Sequence, residues 1–222
     1  PTFNVVLGQI CNAKVFSRID LQEAYSQLPL DDASKEVAVI NTLSGLYRYN
    51  FLPYGASCAS AVFQHFLDEA LKGIQNVIIY QDDILILSEN SEEHVKILEL
   101  VFSALCQAGV KINNTKCKFF TDTVKYLGHI FDKDGARPDP NKVKAIIEAR
   151  PPNNVKELQA FIGICNYYNR FVKNFSSVFA PLYALLKKNV QFEWGESQQK
   201  CFDTVKELFK NDKVLKLFDP KL

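Results

Sequence analysis

Two hydrophobic regimes follow one another along the chain. Up to about residue 131, short apolar runs alternate with longer amphipathic stretches. VFSRI (15–19) reads as a strand running into Asp20. Residues 28–54 break into short pieces at turn signals, among them Ser44-Gly45 and Pro53. In ASCASAVFQHFLDEALKG (56–73), Ala61, Phe63, Phe66, Leu67, Ala70 and Leu71 recur at helical spacing, and Gly73 suits a left-handed stop. NVIIYQDDILIL (76–87) reads as strand, turn, strand. NSEEHVKILELVFSALCQAG (90–109) predicts a second amphipathic helix, with Asn90 as N-cap, Glu92 and Glu93 against its positive end and Gly109 as its stop. KCKFF (116–120) and VKYLGHIF (124–131) are strand-like, and Asp134-Gly135 is a good tight-turn pair.

Beyond residue 136 the pattern becomes helical. Asp139 can cap a short helix with Pro140 at its first position, and Pro151-Pro152 breaks the chain. Asn154 and Glu157 have capping-box spacing ahead of a helix with Leu158, Phe161, Ile162, Cys165 and Tyr168 on one side. A last helix after Trp194 carries Phe202, Val205 and Phe209. The expected fold class is α+β: a split βαβ unit, an antiparallel sheet with helices on one face, then a small helical part, with a boundary near 136.

Composition narrows the class. At 222 residues with 47% apolar and 23% charged residues, the chain is ordinary for a globular protein. No apolar run approaches the ~20 residues that span a bilayer, and PTFNVVLGQI is not signal-like. We expect an intracellular protein, with its six scattered cysteines reduced. The absence of methionine suggests an interior piece of a longer polypeptide. Residues 1–110 carry 6 Lys/Arg against 13 Asp/Glu, whereas residues 111–222 carry 20 against 12. One half could hold cations and the other a polyanion.

The candidate chemistry lies in the hairpin. Adjacent aspartates in a turn need no function by themselves. Asp20, however, ends an apolar strand that can pair beside the hairpin. Three carboxylates at one sheet edge repel unless cations neutralise them, and hard oxygen ligands suit magnesium or manganese. Two such ions about 3.5–4 Å apart can activate a hydroxyl and steady a leaving pyrophosphate.

FSRIDLQEAY, LPYGASCASAVFQ, YQDD, NNTKCKFF and KYLGHIFDKDG occur in that order. Together they resemble the motifs of reverse transcriptases, most closely those of gypsy-type LTR retrotransposon Pol polyproteins. The resemblance implies an RNA-directed DNA polymerase using two Mg2+ (or Mn2+) ions, deoxynucleoside triphosphates and an RNA or DNA template–primer duplex. It implies a polymerase palm over 1–136 with residual fingers at about 28–56, a helical thumb over 137–190, and a connection over 191–222 leading toward an RNase H domain. RNase H and integrase domains of the same polyprotein would be partners, in a cytoplasmic particle or the nucleus.

By the same resemblance, Asp20, Asp82 and Asp83 are the catalytic carboxylates and metal ligands, joined by the Leu21 carbonyl. Lys116 would protonate the pyrophosphate. Tyr25 would lie under the incoming sugar and exclude a 2′-hydroxyl, with Tyr54, Gly55 and Gln81 completing the nucleotide site. Tyr126, Leu127, Gly128 and His129 match the primer grip. Lys142, Lys144, Lys156, Arg170 and Lys173 are candidate phosphate contacts of the thumb. Two positions depart from the family pattern. Gln81 stands where an apolar residue is usual. Ser60 replaces a common proline while still offering a capping hydroxyl. Two rival readings are an inactive, domesticated or decayed retroelement segment that binds nucleic acid, and a nucleotide cyclase on the same palm.

Overall fold

Strand β1 (Val15–Asp20) places Val15, Ser17 and Ile19 on one face and Phe16, Arg18 and Asp20 on the other, because successive strand residues alternate. The computed structural model describes residues 8–10, 13–133, 135–172 and 174–210. The chain divides into two compact units, Pro1–Val124 and Lys125–Leu222. Lys173, Asp134 and residues 211–222, the end of the expected connection, lie outside the described residues.

In the first unit β1 is an interior strand of an antiparallel sheet of order β4-β5-β1-β6, with β4 Val77–Tyr80, β5 Asp83–Ser88 and β6 Lys118–Thr121. The β1–β5 register is unbroken from Val15↔Ser88 to Asp20↔Asp83. Helices α2 (Ala59–Ala70) and α3 (Ser91–Gln107) cover one face. Phe63, Leu67 and Leu71 from the first, and Ile97, Leu98, Val101 and Leu105 from the second, share a core with Ile19, Ile84 and Ile86. Each such side chain contributes about 1.5–3 kcal/mol when fully buried. Asn90 caps α3 as expected, accepting from the Glu93 N–H at 2.9 Å. Helix α2 starts at Ala59, two residues ahead of its apolar pattern. Its N-cap is Cys58, which makes no side-chain cap bond, so Ser60 sits inside the first turn and does not act as the cap.

A polar kernel lies under the helical face. Ser17, Ser88 and His94 are buried, and the two imidazole nitrogens meet the two hydroxyls: Ser17 Oγ to Nε2 at 2.6 Å and Ser88 Oγ to Nδ1 at 2.7 Å. The Phe120 N–H donates to Ser17 Oγ, and Ser88 Oγ donates to the Asn90 carbonyl. One proton arrangement then satisfies every group: Nδ1–H donates to Ser88, and Nε2 accepts from Ser17. Burial holds His94 below its usual pKa, in keeping with a neutral ring.

Between β1 and α2 lie a short helix α1 (Asp32–Val37), capped by Asp31, and a hairpin of β2 (Val39–Thr42) with β3 (Gly45–Arg48). Both hairpin strands are exposed along their whole length, and Leu43 and Leu46 project into solvent.

The second unit opens with a three-stranded sheet of order β7-β8-β9, formed by Thr123–Tyr126, His129–Asp132 and Gly135–Pro138. The continuous strand expected over 124–131 is broken. Leu127 and Gly128 take φ of 46° and 70°, which turns the chain between β7 and β8. Asp139 caps α4 (Pro140–Ile147), and Asn154 caps α5 (Val155–Tyr167). Short helices α6 (Phe175–Val178) and α7 (Ala180–Ala184) lead to α8 (Glu196–Lys210), whose Phe202 lies 4.8 Å from Phe161. Lys206 Nζ donates to the Ala149 carbonyl, tying α8 to the end of α4. Among the described residues no helix is long and apolar enough to cross a membrane, and the five cysteines are free.

Candidate active site

The β4–β5 connection is two residues long, Gln81 and Asp82, closed by the Tyr80↔Asp83 pair. Gln81 has φ 55° and Asp82 does not share the positive sign. Those signs belong to the tight hairpin turn whose first central residue is ordinarily glycine. A left-handed non-glycine residue costs about 1–2 kcal/mol, so the surroundings must hold this turn. Two contacts do so. The Gln81 N–H donates to Gln64 Oε1 at 2.8 Å, and the Asp82 carbonyl accepts from the Leu21 N–H at 3.1 Å.

The second contact joins the turn to the end of β1. Leu21 is bridged on its other side to Ile112, and the Asp20 carbonyl accepts from the Asn113 N–H at 2.7 Å. Asp20 is thus fixed between the hairpin and residues 112–113, with the residue only 8% exposed. Asp20 and Asp83 are direct cross-strand partners, so their side chains leave the same face of the sheet, opposite the two helices. Lys116 Nζ stands 3.8 Å from Asp20 Oδ1, and the Asp20 N–H donates to Cys117 Sγ at 3.4 Å.

Arg18 shares that face. Its guanidinium grips Asp83 with Nε to Oδ1 at 2.8 Å and Nη2 to Oδ2 at 2.9 Å. The Asp83 pKa is nevertheless raised. Burial outweighs the guanidinium, and the charges of Asp82 and Asp20 push the same way. Asp82 is exposed at the tip.

Among the described residues, no three Asp, Glu, His or Cys side chains are arranged to hold a metal ion. The Arg18 fork engages both oxygens of Asp83, which answers its charge from within the protein. In donor chemistry, Asp20 and Asp82 fit a hard divalent cation.

Tyr25 lies in a 3₁₀ turn (Ala24–Gln27) directly after β1, with its ring 4.9 Å from that of Tyr54 and 5.4 Å from that of Phe63. Its phenol pKa is raised, first by burial and then by Asp82, Tyr54 and Tyr80. The ring therefore stays neutral beside the turn carboxylate. Gly55, with φ 89°, lets the chain bend after Tyr54 without strain. Tyr25 thus lies beside Tyr54 and within electrostatic reach of Asp82.

The primer-grip candidates belong to the second unit. Leu127 and Gly128 form the half-exposed turn between β7 and β8, while Tyr126 and His129 are buried. The Tyr167 and Tyr168 hydroxyls donate to the Leu127 and Gly128 carbonyls at 2.6 and 3.0 Å. A Cβ on Gly128 would come within 3.4 Å of the Tyr168 hydroxyl. His129 Nδ1 donates to the Leu127 carbonyl at 2.7 Å, and the ring lies among Tyr167, Tyr168 and Phe171. Burial, with a smaller contribution from Arg170, lowers its pKa to about 4 even though the Leu127 bond favours the charged form. Lys142 and Lys144 are exposed on α4, Lys156 on α5, and Arg170 in the following 3₁₀ turn; Lys144 also pairs with Glu148 at 3.6 Å.

Two residues beside the turn escaped the sequence reading. Arg18 could have been found from its position two residues before Asp20, on the same strand face. Gln64 carried no signal, since a polar residue on a half-exposed helix face is unremarked.

The family model "Reverse transcriptase (RNA-dependent DNA polymerase)" matches residues 5–131. Over 222 residues the chain is 33% identical to the "Retrovirus-related Pol polyprotein from transposon 297" of Drosophila melanogaster, covering 99% of this chain and 21% of that protein. It is 32% identical to the "Retrovirus-related Pol polyprotein from transposon gypsy" of the same organism, covering 97% of this chain and 22% of that one. The chain therefore spans about a fifth of the length of these relatives. Among solved structures, a foamy viral protease–reverse transcriptase in complex with double-stranded DNA aligns with TM-score 0.85 and 27% identity, over 91% of this chain and 37% of that one. The foamy viral enzyme in complex with RNA/DNA hybrid aligns with TM-score 0.81, over 92% of this chain and 28% of that one.

Proposed function

Because the chain belongs to the reverse transcriptase family, we propose that it carries a two-metal nucleotidyl-transfer site at the Asp20–Asp82 end of its four-stranded sheet. The observation that supports this best is the closing pair Asp20↔Asp83, beside a turn whose Asp82 carbonyl is bonded to Leu21. Asp20 and Asp82 both then lie within electrostatic reach of Asp83.

Asp20 and Asp82 are the residues that would hold the divalent ions, with the Leu21 carbonyl as a further oxygen donor. Bound there, the ions would lower the pKa of a primer 3′-hydroxyl and stabilise charge on the departing pyrophosphate. The protein's own groups do the rest. The neutral Tyr25 ring, backed by Tyr54 and Phe63, offers a flat floor for a deoxyribose and excludes a 2′-hydroxyl. Lys116, beside Asp20, is the cation available to donate a proton to pyrophosphate. Asp83, held by Arg18, keeps the turn rigid and supplies background negative charge.

The substrate we assign is a deoxynucleoside triphosphate added to a primer on RNA or DNA template. Lys142, Lys144, Lys156 and Arg170 would take duplex phosphates, which provide affinity without reading sequence. RNase H and integrase domains of the same polyprotein are the expected neighbours. Primer extension on a homopolymer RNA template tests this reading. Extension that requires Mg2+ or Mn2+ and stops with a chelator is the expected result. Duplex binding with no extension under any metal would favour a nucleic-acid-binding segment without catalysis.

A further inference from the structure

One side-chain amide stands in for a missing strand beside the catalytic turn. Gln64, on α2, donates from Nε2 to the Ile79 carbonyl at 3.2 Å and accepts the Gln81 N–H at Oε1, at 2.8 Å. Ile79 and Gln81 are two residues apart, so their backbone groups point to the same side of the chain. That side is the outer edge of β4, the terminal strand of the sheet. The amide thus presents one donor and one acceptor to this edge, as the peptide of a neighbouring strand would.

The orientation of the amide is fixed as well. Nε2 also donates to Asp68 Oδ1 at 2.9 Å, one turn further along α2. An NH2 group satisfies two acceptors, and the oxygen satisfies the one donor; the flipped amide would oppose like groups at all three positions.

The turn depends on such a restraint. Gln81 is held at φ 55° with a side chain that does not favour it. A cleft of about 520 Å³ opens along this edge, lined by Ser60, Gln64, Asp68, Tyr80 and Gln81 among others. Close packing therefore does not press the turn into place from that side. On the opposite side, the Asp82 carbonyl is held by Leu21. The two contacts bracket the Gln81–Asp82 peptide.

We propose that Gln64 is a positioning residue for nucleotidyl transfer: by clamping the left-handed Gln81 it fixes where Asp82 projects, and so governs turnover more than substrate affinity. This rests on the polymerase reading above.

Three measurements test it, made on the polymerase that carries this chain. In Gln64→Leu, kcat for primer extension should fall about tenfold to a hundredfold, while KM for the nucleotide and Kd for the template–primer stay within about threefold. Hydrogen exchange should show the Gln81 amide at least about tenfold less protected, with Leu85 and Ile86 unchanged. In Gln64→Glu, the neutral carboxylic acid can still donate to Ile79 and accept from Gln81, whereas the carboxylate cannot donate. Its kcat relative to wild type should therefore rise as pH falls. Wild-type kcat in Gln64→Leu, unchanged Gln81 exchange, or a flat ratio in Gln64→Glu would each overturn the proposal. A wild-type protein that extends no primer would instead overturn the polymerase reading, and the exchange of Gln81 would then decide the clamp alone.

Discussion

Arg18 and Asp83 form a two-pronged ion pair across the β1–β5 ladder, diagonal to the Asp20↔Asp83 pair. The side chains are 30% and 20% exposed, so the pair lies between the surface and buried regimes. Arg18→Met should therefore destabilise the protein by about 1–3 kcal/mol, mainly by leaving a half-buried carboxylate without its cation. Urea denaturation measures this. Adding Asp83→Asn to Arg18→Met should recover part of the loss, since the orphaned charge is gone.

The same pairing separates two neighbouring aspartates. Asp82→Asn should lower primer extension by about a thousandfold or more, whereas Asp83→Asn should lower it by only about tenfold. Template–primer binding, read by anisotropy, should change by less than about twofold in either variant. Equal and complete loss in both would mean that Asp83 leaves Arg18 and shares the catalytic work.

His129 makes stability depend on acid. Its pKa is lowered from 6.5 in the unfolded chain to about 4 when folded. Below 6.5 the unfolded state binds a proton that the folded state refuses, so the stabilisation present above 6.5 is lost progressively as pH falls toward 4. His94 adds in the same direction, its pKa being lowered by burial. Midpoints of urea unfolding should decline over this interval, and His129→Phe should flatten part of the slope.

Salt should reveal the duplex-binding residues. If Lys156 neutralises one phosphate, Lys156→Ala should weaken template–primer binding modestly and reduce the slope of log Kd against log salt by about 1. An unchanged slope would remove Lys156 from the interface.

Features set by local chemistry were readable from the sequence. Asn90, Asp139 and Asn154 cap helices because a short side-chain oxygen beside free N–H groups acts within a few residues. The order strand, helix, hairpin, helix, strand likewise predicted the sheet around Asp20. Features that depend on register were not readable. Arg18 meets Asp83 only because β1 and β5 pair in one alignment. Leu127 sits in an apolar run that looks like uninterrupted strand, and its left-handed turn is held by two tyrosine hydroxyls 40 residues away. Gln81 resembles any exposed turn residue, and its restraint comes from Gln64, on a helix whose periodicity speaks only of its buried side.

The Ser17–His94–Ser88 kernel has an evolutionary consequence. Each member gives one hydrogen and takes one, in a single direction from Phe120 to Asn90. Replacing any one by an apolar residue strands its neighbours inside the protein, at about 1–3 kcal/mol for each unsatisfied group. A drift toward a wholly apolar centre would have to cross that valley through two unfavourable intermediates. The three codons should accordingly change together or not at all, and this corner of the sheet should be slow to diverge.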